Sequence, residues 1–263
     1  PLESAKWNAL SKENVSLLDE WNSGLIEKQL LSYMFRVNYD YNNKYLLTVS
    51  GRWDGASQLA EGNKWAFFPS AALGWRLDQE EFLKDVTWLN QLKFRLGVGV
   101  TGNSAIDPYQ TKGAIVSLYY PFGSALAPGY AASEPLIKDG AVAMANKNLS
   151  WEKTTQYNIG LDYSVLNGRI SGVLDFYTSR TTDLLMAMTI PSLNGYTNTY
   201  ANVGKTSNIG VDITLNTVNV KTRDFEWSTS INAAWQKDKI DELANGKEDD
   251  INNNWFIGQA LGC

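Results

Sequence analysis

The sequence predicts an all-β chain, and three observations carry that prediction. Apolar and polar residues alternate with period two through most of the 263 residues, the pattern of strands with two different faces. Turn signals such as Asn42-Asn43 and Asn167-Gly168 separate the alternating runs, as hairpins require. Ten Trp, thirteen Tyr and nine Phe supply many amphipathic rings, which need an interface, a binding surface or a core to accommodate them.

The first strand spans Leu31 to Tyr41, with Tyr33, Phe35, Val37, Tyr39 and Tyr41 on one face and Arg36, Asn38 and Asp40 on the other beside Met34. After Asn42-Asn43-Lys44 the pattern resumes, Tyr45, Leu47, Val49 and Trp53 opposing Thr48, Ser50, Arg52 and Asp54. A third run sets Trp65, Phe67, Ala71, Leu73, Trp75 and Leu77 against Ser70, Gly74 and Arg76. A fourth sets Leu92, Phe94, Leu96, Val98 and Val100 against Lys93, Arg95 and Thr101. Tyr157 to Val165 and Ile170 to Phe176 form a hairpin about Leu166-Asn167-Gly168, with Asn158, Asp162 and Asp175 on the polar face. Ile209 to Leu215 and Phe225 to Trp235 complete the array, Asp212 lying on the polar side of the former. With a further strand beginning near Trp255, about nine are expected. Helical periodicity is confined to short pieces such as Gln79 to Val86.

Composition excludes several functions. With 23 Lys+Arg against 28 Asp+Glu the net charge is −5, so a basic nucleic-acid footprint is missing. There is no His and a single Cys, Cys263, which removes Ser-His-Asp, Cys-His and zinc-hydrolase chemistry and any intrachain disulfide. No run approaches the roughly 18 apolar residues of a membrane-crossing helix. The opening residues PLESAKWNALSKEN carry no basic segment followed by an apolar one, as a signal peptide would, and the chain is read as a piece of something longer.

Alternation alone also fits a secreted carbohydrate-binding β-sandwich. Two features favour a membrane barrel. Short or moderate connections (Asn42 to Lys44, Asp78 to Asn90, Leu166 to Gly168, Val218 to Asp224) alternate with mostly longer ones (Asp54 to Lys64, Gly102 to Ser150, Arg180 to Asn202), which is the loop parity of outer-membrane barrels. On the apolar face, rings such as Tyr33, Tyr41, Tyr45, Trp53, Trp65 and Trp75 sit toward strand ends, with aliphatics such as Val37, Leu47 and Leu96 between them. A bilayer sorts residues this way, placing amphipathic rings at headgroup depth.

Several segments in order then resemble a known family: KYLL (44–47) running to RWDG (52–55), FPSAALGWRLDQEEFL (68–83), LKFRLGVGVTGN (92–103), NLSWEKTTQYNIGLDYSVLNGRI (148–170) and GYTNTYANVGKTSNIGVDITLN (195–216). Together they resemble the SusC/RagA-type TonB-dependent outer-membrane transporters over roughly residues 31–258. Ala56, Leu59 and Lys147 depart from that pattern. The resemblance implies an open, antiparallel, up-and-down section of a larger 22-stranded transmembrane barrel, located in the cell outer membrane. It implies further a plug domain, a SusD-like surface lipoprotein, the TonB complex as energy source, and an oligosaccharide or peptide substrate. Residues 1–30 are then expected to be the remainder of an extracellular loop and 31–263 a partial barrel lacking its plug and closing strands. The polar face, with Arg36, Arg52, Arg95, Asp175 and Asp212, would line the lumen.

Other signals carry less. Gly97 to Gly102 fits G-x-G-x-x-G after a strand, but a loop with Pro108 follows where a dinucleotide site needs a helix; Gly97 and Gly99 are read as lumen positions that leave room for a plug or permit strand coiling. Asp250 to Asn254 has the start of a calcium loop, yet Trp255 and Leu261 occupy the positions of the required Gly and Glu, leaving a looser surface Ca²⁺ site or a merely solvated loop. The adjacent pairs Glu80/Glu81 and Asp249/Asp250 lack the spacing of glycosidase carboxyls and are read as solvated. No catalytic residue, metal site or cofactor is assigned. Tyr109, Tyr119, Tyr120, Phe122 and Tyr130 in one long loop, and Tyr196 and Tyr200 in the next, are candidates for contact with substrate or lid, or for packing within the loops.

Overall fold

The structure, a computed structural model, describes residues 26–112, 116–122, 125–131, 143–191, 198–244, 246, 248–251 and 254–260. The wall strands are β1 (Leu30–Tyr41), β2 (Tyr45–Ala56), β3 (Trp65–Arg76) and β4 (Leu89–Asn103), then β8 (Glu152–Val165), β9 (Ile170–Thr182), β12 (Lys205–Lys221) and β13 (Glu226–Glu242). Between them lie the shorter β5 (Val116–Phe122), β6 (Ala125–Ala131), β7 (Ala143–Met144), β10 (Leu185–Thr189) and β11 (Asn198–Asn202). The eight wall strands form one antiparallel sheet in the order β1-β2-β3-β4-β8-β9-β12-β13. Each pairs with the wall strand before and after it in the chain, so β1 and β13 are edges.

Local chemistry explains the tight turns. Asn42 and Asn43 both take positive φ (52° and 55°), a region Asn tolerates better than most residues. Asp40 accepts the Asn43 amide at 2.8 Å. Leu166, Asn167 and Gly168 likewise have φ of 55°, 57° and 77°. Pro69 stands inside β3, but the β3–β4 ladder begins only at Ser70↔Gly99, so its missing N–H costs no bond on that side.

Register assembles the predicted faces. Tyr39, Leu47, Leu73, Leu96, Ile159, Phe176, Val211 and Trp235 form one continuous row across all eight strands. One residue along, Asp40, Leu46, Gly74, Arg95, Gly160, Asp175, Asp212 and Ala234 form a row on the opposite face. The apolar face is uncovered: Leu73, Ile159 and Phe176 are 53%, 48% and 53% exposed. Among the described residues no second sheet is stacked on it; the remaining strands form a two-stranded and a three-stranded sheet within the long connections. A contiguous apolar face of eight strands far exceeds what an aqueous surface tolerates and calls for an apolar medium. The sandwich reading is therefore not what this fold provides.

Aromatic rows border the band at both ends. Tyr41, Tyr45 and Trp75 stack in sequence at 6.5 and 6.4 Å at the end carrying the tight turns. At the other end Tyr33 and Trp65 stack at 6.1 Å, and Phe35 and Phe67 at 6.5 Å.

Three expectations change. The segment near Trp255 is not a wall strand: Asp250 and Trp255 form an isolated bridge, and the chain folds back so that Gly258 donates to the Ile240 carbonyl at 2.8 Å. Gln79 to Val86 is not a helix; a single 3-10 turn spans Leu77–Gln79, followed by successive turns, because the segment is too short to sustain a helix between two strand ends. Leu30, placed in the preceding loop from sequence, is the first residue of β1.

The face assignment yields a prediction. In the full-length protein, Leu161→Arg or Val211→Arg should destabilise the folded wall by about 2 to 4 kcal/mol near mid-band, whereas Gln156→Arg on the polar face should cost far less. Unfolding from lipid bilayers measures the difference, and equal costs on both faces would refute the assignment.

Candidate functional site

The polar face centres on Arg95. Its Nε donates to Asp162 Oδ1 at 2.8 Å, and its Nη2 donates to both carboxylate oxygens of Asp175 at 2.9 and 3.0 Å. The two acids lie on different strands, and Arg95 reaches Asp175 by passing over the strand between them. Gly160 makes that possible, since a Cβ there would lie 2.5 Å from Asp175 Oδ1 and 2.6 Å from the guanidinium carbon. Asp212 is the register neighbour of Asp175 on β12, where it adds a carboxylate to the face. Gly210 plays the same part for Tyr177, whose ring covers it. Arg36 stands level with Ser50 and Ser70, and Arg52 Nε donates to the buried Asp54 at 2.7 Å. All five residues expected on the lumen face therefore share one face. By contrast, a Cβ at Gly97 or Gly99 would meet only ordinary contacts, at 3.9 and 3.4 Å, so the sheet itself does not demand glycine there. Strand β4 runs through the whole glycine motif to Asn103 without opening a helix, which removes the nucleotide reading.

Beyond the strand ends the long connections form a crown. Ala56, Leu59, Phe68, Ile106, Leu149 and Trp151 make a buried cluster, with Val100, Leu185 and Tyr200 packed against it. It arises where the β3–β4 ladder stops: Phe68 turns its ring over Gly102 and meets Trp151 edge-on at 5.3 Å. Hydrogen bonds lace the loops together. The Trp151 indole donates to the Lys64 carbonyl at 2.9 Å, Gln58 to the Ser104 carbonyl at 2.8 Å, and the Ala60 amide to the Leu149 carbonyl at 3.0 Å. Strand β7 pairs in parallel with β11, which pairs with β10, joining the second and third long connections. Asn202 reinforces this join, accepting from the Ser150 amide at 2.7 Å and donating to its carbonyl at 2.8 Å.

The aromatic candidates distribute unequally over the crown. Tyr109 is exposed, with φ of 73°, and its hydroxyl accepts the Glu27 amide at 3.3 Å. It borders a cleft of about 760 Å³ together with Glu27, Gln58, Lys64, Lys112 and Lys147. Tyr200 is half-buried against the cluster. Tyr119, Tyr120 and Phe122 belong to β5 and Tyr130 to β6, but their side chains lie outside the described residues. Tyr196 lies outside them altogether.

At the tight-turn end, Glu80 is not simply solvated. Its Oε1 accepts from Tyr45 at 2.8 Å and from the Trp75 indole at 3.0 Å, while Oε2 meets Lys44 at 3.3 Å. These bonds, first from Trp75 and then from Tyr45, hold its carboxyl below the usual value. Burial alone would raise the carboxyl of neighbouring Asp78, yet hydrogen bonds from Gln79, Arg76 and the Leu92 amide keep it low. In the acidic segment, Asp249 accepts the Ile257 amide at 2.7 Å. Among the described residues, no three acidic, His or Cys side chains gather as a metal site would need. Sequence reading missed Glu80, Gly160 and Asp162 as site residues. The parity of Asp162 places it correctly on the polar face, but no local pattern reveals the crossing over Gly160.

Comparison with known proteins agrees with this geometry. The family model described as "TonB dependent receptor-like, beta-barrel" matches residues 8–259. The TonB-dependent receptor SusC of Bacteroides thetaiotaomicron is 38% identical over 259 residues, 94% of this chain and 24% of its own length. The TonB-dependent receptor P3 of Formosa agariphila is 36% identical over 92% of this chain and 23% of its length. Among solved structures, the RagAB peptide transporter superposes with a TM-score of 0.75 at 28% identity, covering 88% of this chain and 25% of that one. The chain thus spans about a quarter of the length of these relatives.

Two outcomes test the site geometry. Gly160→Ala should displace the guanidinium and cost about 1 to 3 kcal/mol of stability, the usual range for overpacking. In an Asp175→Asn background that cost should shrink, as a double-mutant cycle would report. For Glu80, a lowered folded pKa means that its contribution is complete above its unfolded value and is lost as pH falls through the folded one. Unfolding free energies measured from pH 6 downward should therefore show the wild type's advantage over Glu80→Gln shrinking only below the ordinary glutamate range.

Proposed function

We propose a function from one premise: the chain belongs to the TonB-dependent receptor-like β-barrel family. It forms part of the wall of an outer-membrane importer that takes up oligosaccharides or peptides together with a SusD-like surface lipoprotein, energised by the TonB complex. The observation that carries this reading is the unbroken apolar row on one face of eight sequential strands, backed by the charged row on the other. A membrane wall needs that combination, with lipid on one side and a polar lumen on the other. The tight turns then face the periplasm and the crown faces outward.

In this reading the protein carries out no bond chemistry and needs no cofactor. Tyr109, Tyr119, Tyr120, Phe122, Tyr130 and Tyr196 contact substrate or the lipoprotein lid. Tyr200 supports the crown from within, which its packing against the buried cluster favours. Arg36, Arg52, Arg95, Asp175 and Asp212 line the lumen, and the open space over Gly97 and Gly99 accommodates a plug. The residues ahead of Leu30 belong to an extracellular loop that precedes the wall.

Excising Val116–Ala131 from the full-length receptor tests the assignment. The β5–β6 hairpin pairs with no wall strand, so the variant should insert in normal amount. Uptake of the natural oligosaccharide or peptide, followed with labelled substrate, should fall severalfold. Unchanged uptake would overturn the role given to this loop.

A further inference from the structure

The crown cleft of about 760 Å³ lies where three separate stretches of chain meet. The segment entering β1 contributes Glu27 and Gln29, the β2–β3 connection contributes Ser57 to Glu61 and Lys64, and the two ends of the β4–β8 connection contribute Tyr109, Lys112 and Lys147. Hydrogen bonds fix these stretches against one another. The Gln29 amide donates to Ser57 Oγ at 2.9 Å, and the Ser57 amide donates to the Gln29 carbonyl at 3.0 Å. Gln58 is tied to Ser104, and the Asn63 side chain donates to the Asn148 carbonyl at 3.1 Å. The cleft is thus held in shape by the same contacts that assemble the crown.

Its wall consists mainly of side chains that recognise polar ligands. Lys64, Lys112 and Lys147 are exposed and join no salt bridge among the described residues. Two carboxylates share the wall with them: Glu61, and Glu27, whose Oε1 accepts from the Gln29 side chain at 2.7 Å. Tyr109 adds an exposed ring from a φ of 73°, a conformation that costs a bulky residue energy, and the Glu27 amide anchors its hydroxyl at 3.3 Å. Gln58 is 3% exposed; its amide nitrogen is taken by Ser104, and its carbonyl oxygen has no donor among the described residues. Apolar side chains contribute little, since Leu59 is buried beneath the surface.

We propose that this cleft binds an acidic oligosaccharide, one whose sugars carry carboxylate or sulfate groups. Lys64, Lys112 and Lys147 pair with the anionic groups, Glu27 and Glu61 accept sugar hydroxyls, and Tyr109 stacks on the apolar face of a pyranose ring. The cleft volume of about 760 Å³ falls within the range of sites for small ligands. A neutral glycan leaves three ammonium groups unanswered. An inorganic anion leaves the ring and the carboxylates unused, and a peptide finds little apolar wall for its side chains. The inference narrows the substrate class of the importer proposed above and rests on that reading.

The test applies the full-length protein in detergent to an array of short glycan fragments: galacturonan and alginate for carboxylates, carrageenan for sulfates, starch and xylan as neutral controls, with oligoglutamate as an anionic peptide. An acidic set should be retained above the neutral ones, and which set it is decides between carboxylate and sulfate. The triple variant Lys64→Gln/Lys112→Gln/Lys147→Gln should weaken that binding about tenfold or more, because charge-assisted bonds are the strong ones. The charge-conserving variant Lys64→Arg/Lys112→Arg/Lys147→Arg should retain it, which separates lost charge from lost folding. Neutral fragments or oligoglutamate held as strongly as the acidic sugars, no fragment held at all, or an unchanged triple variant would overturn the proposal. Membrane fractionation and labelled uptake report the importer reading independently. Recovery outside the outer membrane defeats that reading, whereas an outer-membrane protein that imports a neutral glycan or a peptide, indifferent to the triple substitution, defeats only the acidic-sugar site.

Discussion

The structure depends on one constraint: a backbone that meets an apolar medium on one side must satisfy its N–H and C=O groups within the sheet. Eight antiparallel strands with continuous registers do this, and the twofold alternation of the pleat follows from it. Because alternate residues point to opposite sides, the same ladders that satisfy the backbone also separate Leu96 from Arg95 and Val211 from Asp212. Face chemistry and backbone pairing are thus one arrangement, and a one-residue slip would move a whole strand's polar set into the apolar layer.

Within that arrangement, specific glycines let side chains act across strands. Arg95 spans Gly160 to reach Asp175, and Tyr177 lies over Gly210. On the apolar face the rings of Phe35 and Phe67 close over Gly51. In each case the missing side chain gives a larger neighbour lateral reach, so the surface of the wall is smoothed and tied together perpendicular to the strand direction. Partial exposure keeps the ionic contribution of Arg95 modest in energy; its effect is to fix where the charges stand.

The sequence was most informative where structure is local. The hairpin at Asn42-Asn43 is legible because positive φ favours particular residues, and the faces of all eight strands are legible because alternation is a property of each strand alone. Legibility ends where contacts depend on register between strands or on loop geometry. Arg95 and Asp175 are 80 residues apart, and only the ladders through β8 bring them together. The two-residue strand β7 and its parallel partner β11 are too short to leave a periodic trace. Glu80 resembles any solvated acid until a 3-10 turn aims it at Trp75 and Tyr45. Trp255 carries the composition of a strand, yet a bridge to Asp250 returns it toward the end of β13.

The strictly sequential strand order also bears on how the chain reaches its native state. Most wall pairings join strands separated by a short turn, so each new strand finds its template beside it at small entropic cost. Two pairings, β4 with β8 and β9 with β12, must instead close across 104–151 and 183–204. Those are the two connections that β7 and β11 stitch to one another. The slow closures of the wall and the docking of the crown are therefore coupled events: capture of β8 by β4 brings Leu149 and Trp151 to Phe68, and capture of β12 by β9 delivers Asn202 to Ser150. A chain trapped before either step would present half-formed strand edges and a separated crown together, a conspicuous signal for quality control during assembly.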